Sequence, residues 1–566
     1  MKHLSAWMRH GSSAALLLTL SLLTGPTAHA QAPAWQTAVV AGGTGSFVQA
    51  MAADAAGNVY LTGSLFGTVS FGGIALTSAG DADVFVAKWS SQTASFVWAQ
   101  RAGGNGEDRA LAVALNGTSV YVSGHFASAT GGFGGTALVR SGPGPDDGFV
   151  AKLTDAGTST AFVWAQRADE RLLGVAATGT GVYVAGTLTR GVAAFGSTFL
   201  VNAGNYDAFV AKLTDAGTSG SYTWARRVGG LGYDYAGSVA ASGTSIYLAG
   251  DFEDTADFGG TTLTSAGASD VFVAKLTDAG PTGSVVWAQS GGGPGREKAS
   301  GLAVSGASVY ATGTFASALA TFGPAALSNA GNTDVFVTKV IDAGPSGSFA
   351  WAQGAGGTDA EWAGAVAVSG SAVYLTGTFF SPSLACGATV LTNAGASDVY
   401  LAKLVDAGSS GAFAWAQQAG GTFFDQGWGV GISGSTVHVA GDIASPARFS
   451  VLTLNGTDPA LLTGFIASVL DPTLTATAAA KGSLSFALFP NPAHAAATVQ
   501  LPAVPGTAAA TLTLLDALGR TVRTETVALP ATGLRHDLDL HGLPAGLYAV
   551  RVRAGTAAAT RRLVVE

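Results

Sequence analysis

Short apolar runs, alternating or continuous and each broken by glycine, recur along most of this chain. At 365–368 the run Ala-Val-Ala-Val gives way to Ser369-Gly370-Ser371 and then to Ala372-Val373-Tyr374-Leu375-Thr376-Gly377. Two β-prone runs around a glycine turn predict a hairpin. The run Asp334-Val335-Phe336-Val337-Thr338-Lys339 is almost continuously apolar, as a strand covered on both faces should be. An Asp-Ala-Gly turn follows, with copies at Asp155, Asp215, Asp278, Asp342 and Asp406, and leads to a fourth strand that carries a tryptophan.

The tryptophans set the period. Trp35, Trp98, Trp164, Trp224, Trp287, Trp351 and Trp415 are spaced by 63, 66, 60, 63, 64 and 64 residues, so a four-stranded unit occurs seven times. Such a unit cannot bury both faces alone, and radial repetition into a β-propeller solves this. The tryptophans are expected between units, as core. The ends are out of phase: a lone fourth strand opens the chain at 35–40, and the last repeat stops after a third strand near 465–470. The sequence therefore predicts an all-β chain whose seven-bladed β-propeller, residues 31–470, is closed by its own N-terminal strand, leaving no free edge. The motifs Gly-Gly-x-Gly-x-Asp, Val-Tyr-Val-x-Gly and Asp-x-Phe-Val-Ala-Lys resemble the bacterial β-propeller repeat family called SBBP, which implies the fold and no common activity.

After Asp471 the pattern stops, and 471–483 is a Thr/Ala-rich stretch that reads as a linker. A second unit, 484–566, alternates strands with Gly/Pro turns as a small Ig-like β-sandwich does. Its landmarks are Leu488-Phe489-Pro490-Asn491-Pro492, Leu514-Leu515-Asp516-Ala517-Leu518-Gly519-Arg520 and Leu543-Pro544-Ala545-Gly546-Leu547-Tyr548. Together they resemble the type A C-terminal sorting domain of the type IX secretion system. That resemblance implies export through the periplasm and outer membrane, the type IX machinery as partner, removal of the domain, and anchoring at the cell surface or release.

The N-terminus agrees with export. Lys2, Arg9 and His10 precede the apolar run 14–23, and Ala28-His29-Ala30 follows. This is the layout of a signal peptide, 1–30, cleaved after Ala30. The apolar run is shorter than the ~20 residues of a spanning helix, so no transmembrane span is expected after its removal. Charged residues are only 11%, Gly numbers 81, and the net charge of -8 offers no basic footprint for nucleic acid. Cys386 is the sole cysteine, so no internal disulfide forms and the thiol is expected in the core.

Chemistry is sparse. The Gly-Gly-x-Gly-x-Asp copies return once per repeat rather than every nine residues, which excludes a calcium β-roll. His438 stands where the repeat has tyrosine, and His125 is expected to be solvated at a rim; neither has the neighbours of a zinc site or a nucleophilic triad. One constellation stands out. Nine residues before the inner-hairpin glycines lie Asp108, Glu170, Asp234, Glu297, Glu361 and Asp425, with Phe47 or Val48 in the first repeat. Opening the innermost strand, they are expected around the mouth of the central channel. They either cap their own turns or bind a cation such as calcium or a polyhydroxylated ligand. Tyr233, Tyr235, Trp362, Phe423, Phe424 and Trp428 lie near them, and aromatic faces beside carboxylates suit sugar rings. The sequence thus favours an exported binding or adhesion scaffold with a glycan or protein ligand. The alternatives are a polysaccharide-degrading enzyme using two ring carboxylates and a purely structural surface component.

Overall fold

The computed structural model describes residues 31–142, 144, 146–444, 446–455, 462–474, 486–501, 507, 509–516, 520–530, 533–554 and 557–566. The expected signal peptide with its Ala30 site, most of the expected linker and Ala517-Leu518-Gly519 lie outside them. Among the described residues every regular element is a strand.

The repeat is clearest in its sixth copy. Glu361–Ser369, Ala372–Phe379, Asp398–Asp406 and Gly411–Gly421 pair antiparallel in that order. The turn at Gly370, φ 59°, uses a left-handed conformation that glycine adopts without a Cβ penalty. The other innermost strands are Ser46–Ala53, Asp108–Asn116, Leu172–Thr178, Asp234–Ser242, Glu297–Ser305 and Gln426–Ser433. In the seventh copy Thr463–Leu470 is the third strand, and the fourth is Trp35–Thr44, with Val39 opposite Ile466 and Val40 opposite Phe465. The chain's first strand therefore pairs with the last strand of the repeats, as the phase of the ends requires.

The connection between second and third strands is itself a short hairpin, for example Leu319–Phe322 with Ala325–Ser328. Its reason is aromatic. Phe322 packs on Phe336 and Phe349 at centroid distances of 4.7 and 5.8 Å, and Phe133 repeats this with Phe149 and Phe162. The hairpin also reaches the fourth strand of the preceding sheet, through Ala355 opposite Cys386, Gly420 opposite Arg448 and Gly42 opposite Ser70.

Two devices join successive sheets. A Cβ on Gly283 or Gly347 would collide with the ring of Trp224 or Trp287 from the sheet before, so in these sheets a glycine at the start of the fourth strand lets the tryptophan lie on it, whereas the second sheet has Thr160 at that place. The second device is an ionic clasp. Asp342 accepts from Lys275 Nζ (2.6 Å), Tyr247 Oη (2.7 Å), Trp287 Nε1 (3.1 Å) and its own turn's Gly344 N (2.9 Å). Asp155, Asp215, Asp278, Asp406 and Asp471 each take the lysine and tyrosine of the preceding sheet in the same way. Asp471 and the buried Leu474 thus belong to the packed repeats, and any linker begins after them.

The seventh junction has no clasp. Ser468 stands at the lysine position, Ser91 at the aspartate and His438 at the tyrosine. There His438 is fully buried, edge-on to Trp89 at 6.1 Å, and the β-pairing of the two chain ends takes over.

In the C-terminal unit, Ala487–Phe489, Ala496–Leu501 and Leu534–Asp539 form one sheet. Ala509–Leu515, Thr521–Ala528, Gly546–Ala554 and Ala557–Val565 form another. Both sheets contribute to one apolar core that includes Val499, Leu512, Leu538 and Val550. The landmark residues tie this unit together: Asn491 donates to Arg562 O and accepts from Val564 N, and Tyr548 Oη donates to Pro544 O.

Candidate ligand-binding face

All six ring carboxylates are buried, none more than 3% exposed. In five of them the backbone N–H of the glycine four residues earlier donates to the carboxylate. The pairs are Gly104 with Asp108, Gly230 with Asp234, Gly293 with Glu297, Gly357 with Glu361 and Gly421 with Asp425, at 2.6–3.0 Å. Glu170 has no such turn before it and accepts instead from Thr189 N, Thr189 Oγ1 and Arg190 N. The expectation that these groups line an open channel mouth therefore needs correction. In these five sheets the glycine turn presents an N–H that must find an acceptor, and the carboxylate turned inward supplies it.

Burial is the main cause that pushes these groups up: Asp108 and Glu170 rise, Asp234 and Glu361 reach about 7, and Asp425 about 8. A second carboxylate adds to the shift, Asp207 at Asp234, Asp334 at Glu361 and Asp398 at Asp425. The partner is thus an aspartate that opens a third strand in the preceding sheet, not the next ring member. A single cation held by the whole ring has no support in this arrangement, and among the described residues no three His, Cys, Asp or Glu side chains gather as a metal site.

Because side chains alternate along a strand, the residues either side of each buried carboxylate face outward. In three sheets these are aromatic. Trp362 is 43% exposed and packs edge-on to Phe380 at 4.7 Å. Phe424 beside Asp425 is 54% exposed, and Phe423, in the turn before it, is 46% exposed. Tyr233, exposed, and Tyr235, half-buried, pack on Tyr206 at 5.1 and 5.9 Å. Other sheets place Glu107, Arg109, Asp169, Arg171, Arg296 and Lys298 at the same positions. Trp428 departs from the group: its Nε1 donates to Asp442 Oδ2 at 3.1 Å, and its ring lines the central cavity.

That cavity, about 260 Å³, receives residues from all seven innermost strands. Each strand has a bulge at the same place, and the extra residues are Gln49, Leu111, Leu173, Gly237, Ser300, Gly364 and Trp428. A larger cavity, about 900 Å³, lies where residues 31–34 meet Trp415 and residues 471–474.

His125 is buried rather than solvated, with Nδ1 3.2 Å from Asp146 Oδ2. Asp146, from the connection that covers it, also pairs with Arg171. Cys386 is buried as expected, and burial pushes its thiol up to about 12. The clasp residues escaped sequence reasoning, although the signal was present: Lys and Asp recur in every interior repeat, offset by 63–68 residues.

Residues 487–566 match the family described as Secretion system C-terminal sorting domain. A comparison with curated proteins gave no match. Among solved structures, the chain is similar to a phage phi92 endosialidase, at 8% identity and TM-score 0.33 over 93% of this chain and 87% of that one. It is also similar to a Trypanosoma rangeli sialidase in complex with sialic acid, at 9% identity and TM-score 0.32 over 92% and 83%. The sorting domain marks the chain for secretion to the cell surface or extracellular space.

Proposed function

We propose that the exported chain is a binding scaffold, a closed seven-bladed β-propeller that takes a glycan on the face bearing Tyr233, Tyr235, Trp362, Phe423 and Phe424. Closure is supported by the pairing of Trp35–Thr44 with Thr463–Leu470 and by the one cavity shared by seven innermost strands. The single observation that carries the ligand reading is the exposure of Trp362, Phe423 and Phe424 close to carboxylates that are themselves buried. Large aromatic faces left in water at one end of neighbouring sheets cost free energy unless something covers them, and sugar C–H faces stack on such rings. Arg109, Arg171, Arg296 and Lys298 add positive charge nearby, so acidic glycans belong in the screen.

The test is a glycan array probed with the exported protein, followed by titration of the retained sugar. Trp362→Ala and Phe424→Ala are each expected to weaken binding about tenfold, about 1.4 kcal/mol, with the sugar recovered uncut. Retention of no glycan, or unchanged binding by both variants, overturns the reading. Release of new reducing ends would favour the polysaccharide-degrading alternative.

A further inference from the structure

Most tyrosines of the repeats spend their hydroxyls on the fold. Tyr247 and its counterparts donate to the clasp aspartates, and Tyr400 donates to Trp362 O. Tyr206, Tyr233 and Tyr235 do not. Tyr206, in the connection into Asp207–Asp215, bridges to Tyr233, and the three rings cluster at one corner of the outward face with centroids 5.1 and 5.9 Å apart. Among the described residues none of these three hydroxyls has a hydrogen-bond partner.

Directly opposite Tyr235 in the same sheet stands Asp251, and residues so paired share one face of the sheet. Asp251 is 8% exposed, and among the described residues no donor reaches its carboxylate, although neither oxygen is sealed from solvent. The seventh sheet shows the same position put to structural use. There Asp442, opposite Gln426, accepts from Val48 N (2.8 Å) and Trp428 Nε1 (3.1 Å). A buried carboxylate without a donor costs free energy, and the fold that satisfies Asp442 twice leaves both oxygens of Asp251 unspent. Lys298, which holds in the fifth sheet the place Tyr235 holds in the fourth, is exposed, and among the described residues it makes no hydrogen bond or ion pair, while its charge acts on Asp251. Arg296 lies 3.6 Å from Glu253. Asp251 and Glu253 thus balance Lys298 and Arg296, and Asp234 is buried on the other side of its strand.

We infer that Tyr206, Tyr233, Tyr235, Asp251 and Lys298 form a subsite for a neutral pyranose that presents two adjacent hydroxyls. The sugar's C–H face lies on a tyrosine ring. Its hydroxyl pair donates to the two oxygens of Asp251, and the Lys298 ammonium and the tyrosine hydroxyls donate to its remaining oxygens. The balanced charges favour an uncharged ring over an acidic one. This inference rests on the glycan reading of the face and supplies what that reading lacks, since Trp362, Phe423 and Phe424 offer ring faces and, apart from one indole N–H, nothing that distinguishes hydroxyls.

The experiment uses the full chain at pH 8, above the value of about 7 to which burial raises Asp251. The probes are the methyl glycosides of glucose, galactose and mannose, with binding followed by saturation-transfer NMR and folding by Tm. At least one probe should bind, and Asp251→Leu and Lys298→Ala should each weaken it at least about tenfold. Asp251→Leu should melt no lower than the parent, because it removes a buried carboxylate that has no donor. Lys298→Ala alters an exposed side chain and keeps the test decisive whatever Asp251→Leu does to folding. Trp362→Ala should leave the probe bound as in the parent. A parent that binds none of the three probes overturns the subsite. Binding unchanged in Lys298→Ala, together with a lowered Tm in Asp251→Leu, gives Asp251 a structural role and overturns it too. A probe weakened by Trp362→Ala and held equally by the parent and Asp251→Leu overturns the subsite while the glycan reading stands.

Discussion

Replacing Asp342 with alanine should destabilise the repeats more than any surface change, for reasons visible in the clasp. The substitution leaves the Lys275 ammonium with only the Gly344 carbonyl and no counter-charge, and the Tyr247 hydroxyl and the Trp287 indole N–H without their acceptor, in a site where both ionic side chains are under 10% exposed. Removing one partner of a buried pair costs about 3–5 kcal/mol, most of it from the charge left behind. If the roughly 440 repeat residues melt together, their unfolding entropy is about 0.9 kcal/mol/K, so Tm should fall by about 3–5 °C. The double variant Asp342→Leu/Lys275→Met should recover part of that loss, because it leaves no orphaned charge. Burial by itself raises Asp342, but Lys275, Tyr247, the Gly344 N–H and Trp287 outweigh it and hold the carboxyl at about 2. A depressed carboxylate adds stability above its unfolded value near 3.8 that disappears as pH falls through about 2, so parent and variant should converge only in strong acid. Scanning calorimetry at pH 7 and at pH 2 decides the matter. A single variant that melts within about 1 °C of the parent at pH 7 would refute the account of the clasp.

The closing junction should respond to acid with the opposite chemistry. Burial holds His438 down at about 4 against an ordinary 6.5, so its neutral form supports the fold above pH 6.5 and that support, up to about 3 kcal/mol, is lost as pH falls toward 4. His438→Phe should therefore gain on the parent steadily below pH 6.5 in paired melting curves, and parallel curves would sink the idea. Glu361 and Asp425 run the other way, losing stability as pH rises through about 7–8, which is why the difference between variant and parent is the quantity to read. Deleting residues 31–45 removes the partner of Thr463–Leu470 and should lower Tm and cause aggregation through the bared edge; a truncated chain that stays monomeric and melts like the parent would show that the first strand is dispensable.

Strands that repeat their own local pattern are legible in the sequence. Asp334-Val335-Phe336-Val337-Thr338-Lys339 declares a doubly covered strand by composition, and the phase of Trp35 against the last repeat predicts a pairing across the whole chain. Contacts between repeats are not legible in that way. Lys275 reads as the polar end of a strand until Asp342, in the next sheet, is placed beside it, and Phe322 has meaning only beside Phe336 and Phe349, which come later in the chain. The same blindness misplaces the ring carboxylates. Their spacing is correct, but the direction of a side chain depends on which donors compete for it, and Gly357 N becomes a donor only once the turn has closed.

The partnership of the two chain ends also has a timetable. Thr37 Oγ1 and Ser468 Oγ meet at 2.6 Å across 431 residues of sequence. At ribosomal speeds of about 5–20 residues per second, the first strand is made roughly 20–90 s before its partner exists. Every interior sheet can dock on its predecessor as soon as it emerges, because its clasp lies one repeat away. The strand at 35–44 alone has its partner a whole set of repeats away, so any species that lacks the seventh copy leaves this β-prone strand unpaired.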